Sequence, residues 1–114
     1  MAKYVLVVIT NPTPGQEDEF NRWYTDQHLD DVLRIPGYVA AQRFKLTIEA
    51  AKSLPGPYLA LYEMETEDPE ATFAELKVAV DSGKMSVSSS LDMVNLVTSV
   101  FTPITERKVS NACG

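Results

Sequence analysis

The sequence predicts an α+β domain of ferredoxin-like type, β-α-β-β-α-β, with a four-stranded antiparallel sheet and two helices on one of its faces. Three observations carry this. Four segments are rich in β-branched and aromatic residues and are bounded by turn signals. Two segments between them repeat apolar residues at helical spacing. No internal repeat or linker divides the 114 residues, so 1–114 reads as a single domain with 108–114 as a loose tail.

Residues 3–10 (KYVLVVIT) form the first strand, and the Asn11–Gly15 cluster NPTPG stops it. Gln16 to Glu19 open a helix whose acidic first turn suits the helix dipole. Phe20, Trp23, Tyr24 and Gln27 share one face of it. Leu29, Val32 and Leu33 lie roughly 150° away on an ideal wheel, so a break or tightened turn is expected near His28. Pro36-Gly37 ends the helix after Ile35.

Residues 38–46 form the second strand, 47–57 a long loop with room for a short helical turn, and 58–66 the third strand. Asp68-Pro69 starts the second helix as N-cap and first helical residue. Phe73, Leu76 and Val80 supply its buried stripe, and Gly83 ends it. Residues 84–91 (KMSVSSSL) read as a mobile serine-rich segment, and 93–107 as the last strand, with Pro103 near its end.

The net charge of −6 and the lack of any basic run argue against nucleic acid and against an anionic membrane surface. The apolar run at the N-terminus is too short for a membrane span or a signal-peptide core, so a cytoplasmic location is the expectation. The single cysteine, Cys113, reads as an inert thiol on the tail. One His and one terminal Cys do not make a zinc site. Asp30 and Asp31 beside His28 lack ligating partners elsewhere, so no metal is expected.

The richest stretch is WYTDQHLDDVL, residues 23–33, which holds the only histidine, His28. Its ordinary pKa near neutrality suits it to proton transfer, and a ring at a helix break projects into a cleft. Three roles are open: general acid or base, a structural cap bonded to a backbone carbonyl, or an axial haem ligand. Tyr24, one helical turn earlier, is either a core aromatic or a phenol donating to a substrate oxygen. Asp31 could hold the imidazole in one tautomer and raise its pKa. Trp23 packs in the core or an interface, or flanks a substrate.

Tyr58 and Tyr62 share one sheet face, for packing or for a flat aromatic ligand. Asn11 caps the first turn or reaches the cleft. Arg43 is a salt-bridge partner or an anion clamp.

The run EDEFNRWYTDQHLDDVLRIPGYVAAQRF, residues 17–44, resembles the EthD-like branch of the dimeric α/β-barrel superfamily. Asn11-Pro12, Trp23-Tyr24, His28-Leu29, Asp31-Val32, Pro36-Gly37 and Arg43-Phe44 carry the likeness, over about the first 45 residues. Asp30 stands where that branch usually has proline. The resemblance implies a homodimer whose sheets meet face to face and a ligand cleft between sheet and helices. The superfamily includes cofactor-free monooxygenases on phenols, cyclases, dehydratases and isomerases, and also haem-dependent branches.

The expected function is therefore a small cofactor-free enzyme acting on an aromatic or conjugated hydrophobic molecule. His28 would move a proton, Tyr24 and Asp31 would assist, and Trp23, Tyr58, Tyr62, Asn11 and Arg43 would bind. The alternative is a non-catalytic small-molecule-binding or accessory dimer with His28 structural. A third reading, a plain structural dimer, has the cleft filled by side chains.

Overall fold

The strand β1 (Ala2–Thr10) alternates, turning Leu6, Val8 and Thr10 into the core. The computed structural model describes residues 1–50 and 52–111, so Cys113 lies outside the described residues. β1 pairs antiparallel with β3 (Tyr58–Thr66), which also pairs with β2 (Tyr38–Lys45); β4 (Val97–Phe101) pairs with the other edge of β1. The order β2-β3-β1-β4 is the ferredoxin-like order, with all neighbours antiparallel. A bulge at Val39 resets β2, so that Ala41 and Arg43 stand opposite the inward Tyr62 and Ala60 of β3.

The first helix is not straight. α1 (Glu17–Trp23) passes into a π-helical turn (Tyr24–His28) and then α2 (Leu29–Leu33). In place of the break or tightened turn expected near His28, the helix continues through a widened one. A π turn holds about one residue more than an α turn, which sets later side chains back by about 100°. His28 and Val32 thereby join the face of Phe20 and Tyr24, and all four are buried. Leu33 stays exposed.

Asp68 caps α3 (Pro69–Asp81) as expected, its carboxylate accepting from the Ala71 N–H at 3.1 Å. Phe73, Leu76 and Val80 do face the core, but only partly covered, because a cavity lies beneath them.

Three further expectations differ from the structure. The segment 84–91 is pinned, not mobile. Thr13 N–H donates to Ser90 O at 2.6 Å, Thr13 Oγ1 to Ser89 O at 2.8 Å, and Met85 N–H to Ala79 O at 2.8 Å. Met85, Ser90 and Leu91 are buried: the serines satisfy backbone and one another, and the apolar residues close the core. The last strand spans only Val97–Phe101, since the Asp92 carboxylate accepts from the N–H groups of Val94 and Asn95 and turns the chain. Leu96 is thereby free to line the cavity. The 47–57 loop carries no helical turn among its described residues.

Gly37 takes φ +101, and a Cβ there would lie 2.9 Å from Thr72 Cγ2. Gly37→Ala combines backbone strain with that clash, so unfolding should show a loss of about 1–3 kcal/mol. Equal thermal stability of variant and wild type would refute this.

Candidate functional site

A cavity of about 150 Å³ lies between the sheet, the bent helix, α3 and the 84–96 segment. Val8, Val32, Phe73, Leu76, Val87 and Leu91 supply much of its apolar wall. Polar groups enter from His28, Tyr24, Tyr62, Thr10 and Thr98. Lys77 and Asp81 also line it while about two-thirds exposed, and their ion pair at 3.7 Å marks an opening along α3. The cleft is therefore not filled by side chains.

His28 is both packed and at the cavity wall. Its ring stacks on Trp23 (centroids 4.6 Å, 25°) and meets Tyr24 edge-on (4.9 Å, 90°). Nδ1 is buried with no hydrogen-bond partner among the described residues, so the expected cap onto a backbone carbonyl is not made among them. His28 lines the cavity, and Nε2 is the ring nitrogen that is not shut off in this way. Burial pulls the imidazole pKa down to about 4, against the raising influence of Asp31, and Arg43 lowers it further. Desolvation of the charged ring outweighs the one carboxylate. The ring is neutral at pH 7 and can accept a proton.

Asp31 does not hold this ring: its carboxylate accepts from Arg34 Nη1 at 2.5 Å and from Gln27 Nε2 at 3.4 Å. The expected tautomer-setting bond is absent among the described residues, because α2 turns Asp31 toward its own helix. Tyr24 is almost fully buried, and its hydroxyl accepts from Tyr62 O–H at 3.3 Å. Burial raises both phenols above their ordinary pKa, so both remain donors at neutral pH.

The remaining candidates divide. Tyr58 and Tyr62 do share a face, yet only Tyr62 reaches the cavity. Tyr58 O–H donates to Glu17 and packs on Phe20. Trp23 supports the imidazole from outside the cavity wall, with its own Nε1 buried and unpartnered. Asn11 ties the first turn to the 47–57 loop through Pro55 O and does not line the cavity.

Arg43 makes no salt bridge among the described residues. Instead it bonds Asn21 Oδ1 (2.9 Å) and Thr25 Oγ1 (2.8 Å), with its guanidinium 4.6 Å from the Tyr24 ring centroid.

Thr10 and Thr98 escaped the sequence reading. Thr10 was within reach of it, since it shares the inward parity of Leu6 and Val8. Thr98 is paired with Val8, which only register reveals. The lid residues carried no periodic signal.

A cavity near this size holds about one benzene-sized ring. A haem is far larger, so the residues around His28 do not fit one as arranged. No group of three or more His, Cys, Asp or Glu side chains among the described residues could hold a metal ion. No helix among them is long and apolar enough to cross a membrane.

Fold and cavity together define a ferredoxin-like α+β protein with a ring-sized cavity that opens along α3. The fold is that of EthD-like and related α/β-barrel proteins. An EthD-like protein from Ralstonia eutropha JMP134 aligns with a TM-score of 0.55 at 15% identity, over 94% of this chain and 97% of its own. A proposed monooxygenase from Shewanella loihica PV-4 aligns at 0.58 and 19%, over 92% and 97%. The haem-degrader MhuD from Mycobacterium tuberculosis, solved with two haems in its active site, aligns at 0.61 and 13%, over 92% and 99%. At these identities the likeness establishes the fold. No family model and no curated protein matches the sequence.

Proposed function

We propose that the chain is a small enzyme that removes a proton from a single-ring aromatic or conjugated molecule held in the cavity, with His28 as general base and Tyr24 as hydrogen-bond donor. One observation carries this reading. The only histidine is a neutral ring that lines an otherwise mainly apolar cavity, beside a phenol with its own proton to give. An imidazolium formed there would be stabilised by the substrate anion it had just created. Elimination, cyclisation, isomerisation and oxygenation of an activated phenol can all begin with that step. A positioned base contributes about 10²–10⁴-fold. Asp31 is left as a helix-stabilising carboxylate.

The test is hydrogen exchange in D₂O, followed by proton NMR, with single-ring substrates such as 1,3-dihydroxybenzene and small conjugated ketones. Protein-accelerated C–H exchange is expected. The alternative, a binding protein that turns nothing over, is favoured by the missing partner on Nδ1, because a catalytic imidazole is usually oriented by one. Ring ligands that bind without any accelerated exchange would select that alternative.

The sheet face away from the helices supports a homodimer. Phe44, Leu59, Ile9 and Val97 form one apolar row across all four strands, and Leu61, Val7, Val5 and Phe101 extend it. Burying Asp in such a face costs enough to weaken association roughly 100-fold or more. Sedimentation should show a species of twice 12.6 kDa for wild type and a shift to monomer for Leu61→Asp. A wild-type monomer at micromolar concentration would rule the dimer out.

A further inference from the structure

Among the described residues, Arg43 is a cation without a carboxylate partner. The chain carries a net charge of −6, yet the ion pairs among the described residues leave this half-buried guanidinium out. Neutral groups hold it: the Asn21 and Thr25 oxygens, and the faces of Phe20, Tyr24 and Tyr58 at 4.6–5.3 Å. An exposed lysine in that condition would be ordinary, because water screens it. A guanidinium wedged behind an aromatic ring projects its field through low-dielectric material. The ring in front of it is Tyr24, whose other surroundings include the cavity.

The second observation is the contact between the phenols. Tyr62 O–H donates to Tyr24 O at 3.3 Å, longer than the roughly 2.5–3.0 Å usual for O–H···O bonds. Both tyrosines line the cavity, and burial keeps both protonated. No other acceptor for the Tyr24 hydroxyl occurs among the described residues. Two buried donors joined by one long bond both gain by turning onto an anionic oxygen between them.

We propose that Tyr24 and Tyr62 together form an oxyanion site, backed by Arg43, that selects ligands binding through a phenolate or enolate oxygen. This deepens the proton-transfer reading and rests on it. His28 Nε2 takes the ligand proton, from O–H directly or from the carbon beside a carbonyl. The electron pair of the broken bond comes to rest on the ligand oxygen, which accepts from both phenols. Atoms and electrons balance without an oxidant. Arg43 touches no ligand and acts through the Tyr24 ring, so it is a positioning residue.

The probe is 4-nitrophenol, whose ionised form is read by visible absorbance, with 4-nitrotoluene as a ring of similar size that cannot ionise. In wild type the bound phenol should ionise about one pH unit or more below the free phenol, a tenfold or greater preference for the anion. Tyr62→Phe should weaken phenolate binding about tenfold and leave 4-nitrotoluene within about twofold. Arg43→Gln should narrow the anion preference, and Arg43→Lys should restore part of it.

Unchanged phenolate preference in Tyr62→Phe overturns the oxyanion site, even where the Arg43 variants fail to fold. Equal ionisation of free and bound phenol overturns it as well. Binding of 4-nitrotoluene in either case leaves the ring-binding cavity standing. Failure of both probes to bind overturns the cavity reading together with the inference.

Discussion

Replacing His28 with Phe is expected to abolish the accelerated hydrogen exchange, by about 10²–10⁴-fold, while leaving the fold in place. The ring is stacked against Trp23 and edge-on to Tyr24, so a phenyl group keeps the aromatic packing and removes only the nitrogens. It also removes a buried nitrogen that has no hydrogen-bond partner, a group that costs stability where it stands. His28→Ala is the poorer variant. The side chain is 9% exposed, and deleting it enlarges the cavity at a cost of about 2 kcal/mol or more. Both variants should be followed by exchange rate, sedimentation and thermal melt. Full exchange activity in folded His28→Phe would exclude His28 as the base.

Acid should unfold the wild type more readily than His28→Gln. The unfolded imidazole takes up its proton near the ordinary pKa of 6.5, whereas the folded one does so only at about 4. Between those values the unfolded chain binds more protons, so stability falls as the pH is lowered through that window. It is fully present above the unfolded pKa and levels off below about pH 4. The shift corresponds to about 3 kcal/mol as an order of magnitude. Every other group is common to both proteins, so the difference between wild type and His28→Gln isolates the ring. Urea unfolding at several pH values from 7 to 4 measures it. Parallel stability curves for the two proteins would show that burial does not depress this pKa.

The fold was legible because its signals are local and periodic. The Val, Ile and Tyr richness of residues 3–10, the alternation in 58–66, the Asp68-Pro69 start and the Pro36-Gly37 stop each name an element without reference to distant residues. The mismatch of the two apolar sets around His28 also revealed an irregular turn. Its sign was not available. A tightened or a widened turn can each rotate a stripe, and only packing against the sheet selects the π turn that buries both His28 and Val32.

The serine-rich segment 84–91 misled for a related reason. Composition measures average polarity, while Met85, Ser90 and Leu91 are buried in a segment that bonds from Thr13, far away in the chain, hold at Ser89 and Ser90.

By itself, then, the sequence determined the order of elements, their boundaries at proline and glycine, and the chemical richness of residues 23–33. Tertiary structure alone decided which of those groups meet. It turned Asp31 onto Arg34 and away from the imidazole, withdrew Tyr58 and Asn11 from the cavity, and set Tyr62 and Thr98 into it. The physical reason is that helix and strand periods are properties of neighbouring residues, whereas a cavity is bounded by side chains distant in sequence. Their register and desolvation exist only once the sheet is closed by its helices.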